Sequence, residues 1–286
     1  MAMRAVTIEK DFKSGDTFNY FLMSDLHLES PEHNRKLLIK ELDYAKKHNA
    51  DIFIGGDIWD FINNGDRKRY TPSRNKYGEL DAVINEAIDE AFEVLKPYAK
   101  NIKVILCGNH ESSVIKFHNF DPAAVLVRDL NRLHCADVKY LGYQGYIRLR
   151  YKYKKGNRSF NFDIKAHHGT GGSSEITKGT ITINRFMNAH SADAHWFGHT
   201  HTKVILPDEN QSYLNEKGNI CTRSRKGIIT GAYVYPVNEK NTTRNGNPAS
   251  YNIDYGDMKR TLQSTGGVML RHEFEGIEGI TTRIIT

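Results

Sequence analysis

The chain has 286 residues, 39% apolar and 26% charged, with a net charge of +6 at neutral pH, a composition that excludes a disordered or fibrous chain. No stretch nears the ~20 apolar residues of a membrane-spanning helix, and the opening residues lack an apolar export core. Three widely spaced cysteines, Cys107, Cys135 and Cys221, fit neither a disulfide framework nor a zinc finger, so a cytoplasmic protein without membrane association is expected.

In chain order, Phe18–Ser24 is a short apolar run of strand length. Leu37, Leu38, Leu42 and Ala45 then give Pro31–Asn49 a helical spacing. Asp51–Gly55 is a second strand of the buried type. Glu79–Tyr98 carries apolar residues along one helical face, and Ile102–Cys107 is a third strand. Asp121-Pro122 has the form of an N-cap followed by proline at the first helical position, opening a helix to about Leu133. Strands alternating with helices imply parallel crossovers and a sheet covered on both faces. From residue 147 the period changes to two. Ile147, Leu149, Tyr151 and Tyr153 alternate with basic residues, and Phe160, Phe162, Ile164 and Ala166 follow a Lys-Gly-Asn turn, which predicts a hairpin with one buried and one basic face. Ala194–Phe197, Thr202–Leu206, Gly227–Tyr235, Gly267–Phe274 and Ile280–Ile285 are further strand-like runs. A single domain over 1–286 is expected, with a basic and aromatic insertion at 61–78 and loop insertions at 207–226 and 238–266.

Five of the apolar runs end in residues able to hold a metal or a phosphate. They lead into Asp25-Leu-His27, Gly-Gly-Asp57, Gly-Asn109-His110, His167-His168-Gly and Gly-His199-Thr-His201. The carboxyl ends of strands form the rim where α/β sheets bind ligands. The period of two in a strand predicts that Asp25 and His27 share one side, as do His199 and His201. Imidazoles mixed with carboxylates and an amide suit manganese, iron, zinc, cobalt or nickel, whereas magnesium and calcium prefer oxygen alone. Seven candidate ligands exceed the needs of one ion and suit two ions sharing a carboxylate, roughly 3.5–4 Å apart. Spacing alone leaves either His167 or His168 as the ligand. His195, inside a strand-like run, reads as a core residue or a support behind the site.

These five blocks, in this order, resemble the calcineurin-like metallophosphoesterase family over roughly two-thirds of the chain. The resemblance implies an α/β four-layer sandwich, two mixed β-sheets flanked by α-helices, with a dinuclear metal site at the carboxyl ends of the strands. It implies that Asp25, His27 and His201 hold one divalent ion, that Asn109, His168 and His199 hold the other, and that Asp57 bridges them. The histidine directly before glycine, His168, is the one the family pattern favours, which leaves His167 in a supporting place. Manganese is the first expectation for the metal. His110 matches the histidine that relatives set beside the leaving group. Asp60 stands where purple acid phosphatases carry a metal-binding tyrosine, which argues against a purple, ferric enzyme; it reads as a support behind the ligands or as a loop residue. Glu111 follows His110 where many relatives have aspartate.

Hydrolysis of a phosphate ester by a water activated between two cations is therefore expected, with Asp57 and His110 as the catalytic residues and Asn109 and His110 against the substrate. A phosphodiesterase, with nucleic acid or a nucleotide as substrate, is the leading reading. The segment after Asp60 supports it, because Arg67, Arg69 and Arg74 interleave with tyrosines in a composition suited to backbone phosphates and stacked bases. The competing readings are a phosphomonoesterase acting on a small phosphate or a phosphoprotein, a scaffold of the same fold that has lost its metals, and a nucleic-acid-binding module without turnover.

Overall fold

The computed structural model describes residues 4–30, 33–61, 83–133, 135–171, 177–235, 265–276 and 279–286. In chain order the elements are β1 (Arg4–Phe12), β2 (Thr17–Met23), α1 (Arg35–Lys47), β3 (Asp51–Ile54), α2 (Val83–Leu95), β4 (Ile102–Leu106), α3 (Asn109–His118), α4 (Pro122–Asn131), β5 (Lys139–Gly142), β6 (Gln144–Tyr153), β7 (Ser159–His167), α5 (Thr180–Ala189), β8 (Ala194–Phe197), β9 (Val204–Ile205), β10 (Glu209–Leu214), β11 (Ile220–Ile229), β12 (Val268–Glu273) and β13 (Thr281–Ile285).

The strands sort into two mixed sheets. One runs β13-β12-β2-β3-β4-β5, with β2, β3, β4 and β5 mutually parallel. The other runs β1-β6-β7-β8-β11-β10, with β9 also paired to β11. The apolar runs of β2, β3 and β4 are continuous because both their faces are buried. Met23, Ile52, Ile54 and Ile105 point to α1, α2 and α4, while Tyr20, Leu22, Phe53, Val104 and Leu106 point to the second sheet. That sheet answers with Ile147, Leu149, Tyr151, Ile164, Ala166 and Trp196. On its outer face α5 packs Ile183 and Met187 against Phe197 and Ile229. The result is helix, sheet, sheet, helix: the four-layer sandwich expected from the sequence.

Several expectations shift in register or in kind. The first helix begins at Arg35, where Asn34 accepts the Leu37 amide as N-cap. The part of the Glu79–Tyr98 helix before Val83 lies outside the described residues; the α-helix ends at Leu95 because Pro97 tightens the next turn into a 3₁₀ one. Asp121 caps α4 as expected, its Oδ1 accepting the Ala124 amide at 3.0 Å. Neither α3 nor α5 is evident from the sequence. Each is short, and each buries only one or two apolar side chains, Val114 in α3 and Ile183 and Met187 in α5, too few to show a helical period. β1 is also unexpected. It is an edge strand paired in parallel with β6, and most of its side chains face water.

The polar run 207–226 is not a loop: Glu209–Leu214 pairs antiparallel with Ile220–Arg225, an exposed extension of the second sheet. Its side chains are mostly polar, and the apolar ones, Tyr213, Leu214 and Ile220, cluster at the turn end, so no apolar alternation marks it. The runs 61–78 and 238–266 fall almost wholly outside the described residues. The basic face of β6 is an ion-paired surface. Arg148 pairs with Asp163 at 2.8 Å, and Arg150 and Lys152 pair with Glu9 at 3.3 and 2.6 Å.

Candidate metal centre

Each of the five motif-bearing strands ends at the same edge of the sandwich, β2, β3 and β4 from one sheet and β7 and β8 from the other. The predicted residues converge there. His27 Nε2 and His201 Nε2 are 3.1 Å apart, and His201 Nε2 is 3.4 Å from Asp25 Oδ1. Beside them His168 Nε2 lies 3.1 Å from Asp57 Oδ2 and 3.0 Å from Asn109 Oδ1, and His199 Nδ1 is 2.7 Å from the same Asn109 oxygen. Asp25, His27 and His201 thus form one group able to hold a metal, and Asp57, His168 and His199 another, with the Asn109 amide oxygen inside the second.

The donor set fits cations. Gly55 O accepts a hydrogen bond from His168 Nδ1 at 2.8 Å, so the His168 proton sits on Nδ1 and the Nε2 lone pair faces two acceptor oxygens. Acceptors aimed at acceptors across 3 Å are satisfied by a proton or a positive ion between them. The titration behaviour agrees. Burial pushes the Asp57 carboxyl up, but His168, then His110 and His27, outweigh it and hold Asp57 well below the ordinary carboxylate range. Conversely, burial lowers His168 while Asp57 and Asp25 raise it further, to about 10. The pocket draws positive charge to itself, and nitrogen with oxygen ligands suits the transition-metal ions named above.

The local geometry differs from the strand-period expectation in one respect. Strand β2 ends at Met23 and β8 at Phe197, so Asp25, His27, His199 and His201 lie beyond the strands. What aims them is a left-handed backbone: φ is 56° at Asp25, 46° at His27, 49° at Asp57, 67° at His199 and 55° at His201. Non-glycine residues in that region are strained by about 1–3 kcal/mol each and persist only where surrounding bonds hold them. Those bonds are present. Asp25, His27 and Leu28 amides donate to the carbonyls of Gly56, Asp57 and Ile58, and the Tyr233 amide donates to Asp25 O. Ser24 Oγ donates to Asp25 Oδ2 at 2.5 Å, and the His199 amide donates to the same carboxylate at 2.9 Å. Glycine is required where these turns touch. A Cβ on Gly198 would stand 2.6 Å from Asp25 Oδ2.

The supporting residues separate into those the sequence suggests and those it hides. Asp60 Oδ1 is 3.2 Å from His27 Nδ1 and 3.7 Å from His110 Nδ1, and Asp60 O accepts from His110 Nδ1. His110 Nε2 faces the centre, 3.9 Å from Asp57 Oδ2. His167 turns away from the centre; its Nδ1 accepts the Gly169 amide at 2.8 Å, and its ring packs against Tyr143, Phe186 and Phe197. His195 is buried on β8 and bonds His190 O. Arg67, Arg69 and Arg74 lie outside the described residues. Three holders of the site have no role assigned by sequence reasoning, which names Glu111 only as the neighbour of His110. Glu29 accepts the amides of Asp60 and Phe61 at 2.8 and 2.6 Å, His33 Nδ1 donates to Leu26 O at 2.8 Å, and Glu111 gathers four amides. Only Glu111 carries a sequence signal, its place three residues after the helix-capping glycine.

No curated protein matches the sequence. Among solved structures the chain is similar to a conserved uncharacterized protein of Streptococcus pneumoniae TIGR4 described as a predicted phosphoesterase, with 12% identity over 95% of this chain and 90% of that one and a TM-score of 0.33. It is similar to a metallophosphoesterase from Sphaerobacter thermophilus, with 14% identity over 94% and 89% and a TM-score of 0.35. A Vps29 double mutant from Entamoeba histolytica shares 13% identity over 68% and 88%, with a TM-score of 0.27. The sequence matches the calcineurin-like phosphoesterase family model over residues 18–203, from the start of β2 to beyond His201. That match spans all five strand-end motifs and about two-thirds of the chain, and with it the chain belongs to the calcineurin-like phosphoesterase family.

Proposed function

We propose that this chain is a two-metal hydrolase of phosphate diesters, with nucleic acid or a nucleotide as substrate. Its family's chemistry, metal-dependent hydrolysis of phosphate esters, is the frame. The observation that carries the reading is the convergence of Asp25, His27, Asp57, Asn109, His168, His199 and His201 into two adjoining groups of inward-facing acceptors. Asp25, His27 and His201 would hold one divalent ion, manganese in the first instance, and Asn109, His168 and His199 the other, with Asp57 between. Bound ions would supply Lewis acidity toward the phosphoryl oxygens and lower the pKa of water.

The remaining work falls to side chains of this chain. Asp57 commits Oδ1 to the His110 amide at 3.0 Å and presents Oδ2 to the centre. His110 bonds Asp60 O through Nδ1, which leaves Nε2 to hand a proton to the departing oxygen. Asp60 orients both His110 and His27. The preference for diesters rests on the basic, tyrosine-containing segment 61–78 and on the excess of positive charge, which suit a phosphate backbone.

The test is turnover of bis(4-nitrophenyl) phosphate against 4-nitrophenyl phosphate in manganese, followed by single-stranded and duplex DNA and RNA, with Asp57→Asn as the blank. Diester cleavage lost in Asp57→Asn supports the proposal. Preference for the mono-ester overturns the diester reading, and a protein that takes up no transition metal overturns the hydrolase itself.

A further inference from the structure

Glu111 sits in the first turn of α3, fully buried, and its side chain does far more than cap that helix. Oε2 accepts the amide of Gly108 at 2.7 Å, the capping contact expected of an acid at this position. The same oxygen accepts the amide of Asp57 at 3.0 Å, and Oε1 accepts those of Ile58 and Trp59 at 2.7 and 3.3 Å. Three of its four bonds therefore leave α3 and close on the turn after β3. The return contact exists as well, because Asp57 Oδ1 accepts the His110 amide. Two turns from different strands are latched to each other in both directions. One carries Asp57 and the other carries Asn109 and His110.

The segment 56–58 lies between two neighbours. Its carbonyls take the amides of Asp25, His27 and Leu28, while amides of Asp57, Ile58 and Trp59 go to Glu111. The Asp25 loop has anchors of its own that do not involve Glu111: Ser24 Oγ, the Tyr233 amide, the His199 amide and His33 Nδ1. The Asn109 turn is joined to the Asp57 turn by the His110 amide and by the Glu111 carboxylate, whose two oxygens are each shared between amides, a geometry that neither an amide nor a shorter acid reproduces.

The geometry points to Glu111 as a positioning residue for one ion of the pair, the one held by Asn109, His168 and His199 beside Asp57. This rests on the two-ion reading. Glu111 touches neither substrate nor metal in it; it acts by keeping Asp57 and Asn109 in register. Loss of the latch should weaken the second ion roughly 10–100-fold, the usual effect of removing a residue that orients ligands, and weaken the Asp25, His27, His201 ion, which shares Asp57 but keeps its own anchors, by clearly less.

The experiment is cobalt and manganese binding to the full chain by titration calorimetry, with the cobalt absorption spectrum as a second readout and a melting curve as a folding control. Wild type, Glu111→Gln, His168→Ala and the double variant are compared. Wild type should bind two ions. Glu111→Gln should keep one tight ion, resemble His168→Ala, add little to it in the double variant, and regain turnover as manganese is raised. Glu111→Asp, one methylene shorter and still a carboxylic acid, gives the same test should the amide variant not fold. Equal weakening of both ions in Glu111→Gln, or two ions bound as tightly as in wild type, overturns the assignment. Fewer than two ions in wild type overturns the two-ion reading instead.

Discussion

At the scale of single residues, the centre is built from strained backbone and close approach. His110 lies beside the centre, with its backbone amide bonded to Asp57 and Nδ1 turned to Asp60 O, so its imidazole can be removed without removing any of the seven candidate ligands. His110→Ala should bind metal as the wild type does and lose roughly 10²–10⁴ in rate, the usual size of a general-acid contribution. The check is kcat with an unactivated leaving group beside metal stoichiometry, and full turnover would remove the role. Gly198 tests packing in place of chemistry. Its φ is not left-handed, so alanine is conformationally acceptable, yet the new methyl would press on the Asp25 carboxylate from 2.6 Å. Gly198→Ala should weaken metal binding by about tenfold or more and also lower the melting temperature, because the same methyl would stand 2.7 Å from Cβ of the buried Ser24 and closer still to its Oγ.

At the scale of elements, the strands were easier to read than the helices that close the site. β2, β3 and β4 are legible because burial on both faces leaves runs such as Phe21-Leu22-Met23 without a polar break. The strand-end motifs are legible because they follow those runs directly. The aiming of Asp25 and His27 is not, since five left-handed residues replace the strand period that the spacing suggests. α3 is hidden because its stability comes from Glu111 and from the strand turn it locks onto, contacts distant in sequence. α4 is the opposite case, announced by Asp121-Pro122. Asp121 Oδ1 caps the helix and Oδ2 accepts the Tyr140 hydroxyl at 2.9 Å, tying α4 to β5. Asp121→Ala removes both and should cost about 1–2 kcal/mol in urea denaturation, with kcat unchanged because α4 carries none of the candidate site residues. A loss of activity with no loss of stability would contradict that separation of structure from site.

At the scale of the whole molecule, the two sheets meet across an apolar core in which Tyr20, Tyr151 and His272 are buried together. Tyr151 on β6 donates to the Tyr20 hydroxyl on β2 at 2.8 Å and lies 2.5 Å from His272 Nδ1 on β12. The three residues join the sheets, and Phe162 packs at a tilt against the imidazole with ring centres 4.4 Å apart. His272 Nε2 has no hydrogen-bond partner among the described residues. A proton added there would be buried without a partner, and burial, with the Lys226 charge as a smaller contributor, lowers the His272 pKa to about 3. In the unfolded chain a histidine takes its proton near pH ~6.5. Between those values the unfolded state binds a proton that the native state refuses, so this contribution is fully present above pH ~6.5 and is lost as the pH falls toward 3. Its full size is on the order of 5 kcal/mol. His272→Gln can keep a bond to Tyr151 and has no proton to titrate. The variant's stability, measured by urea denaturation from pH 7 to pH 4, should fall less steeply than that of the wild type. The two slopes should differ by about 1.4 kcal/mol per pH unit below pH ~6. Parallel slopes would mean that acid reaches the core through other groups, and that the sheets are not held together by a neutral imidazole.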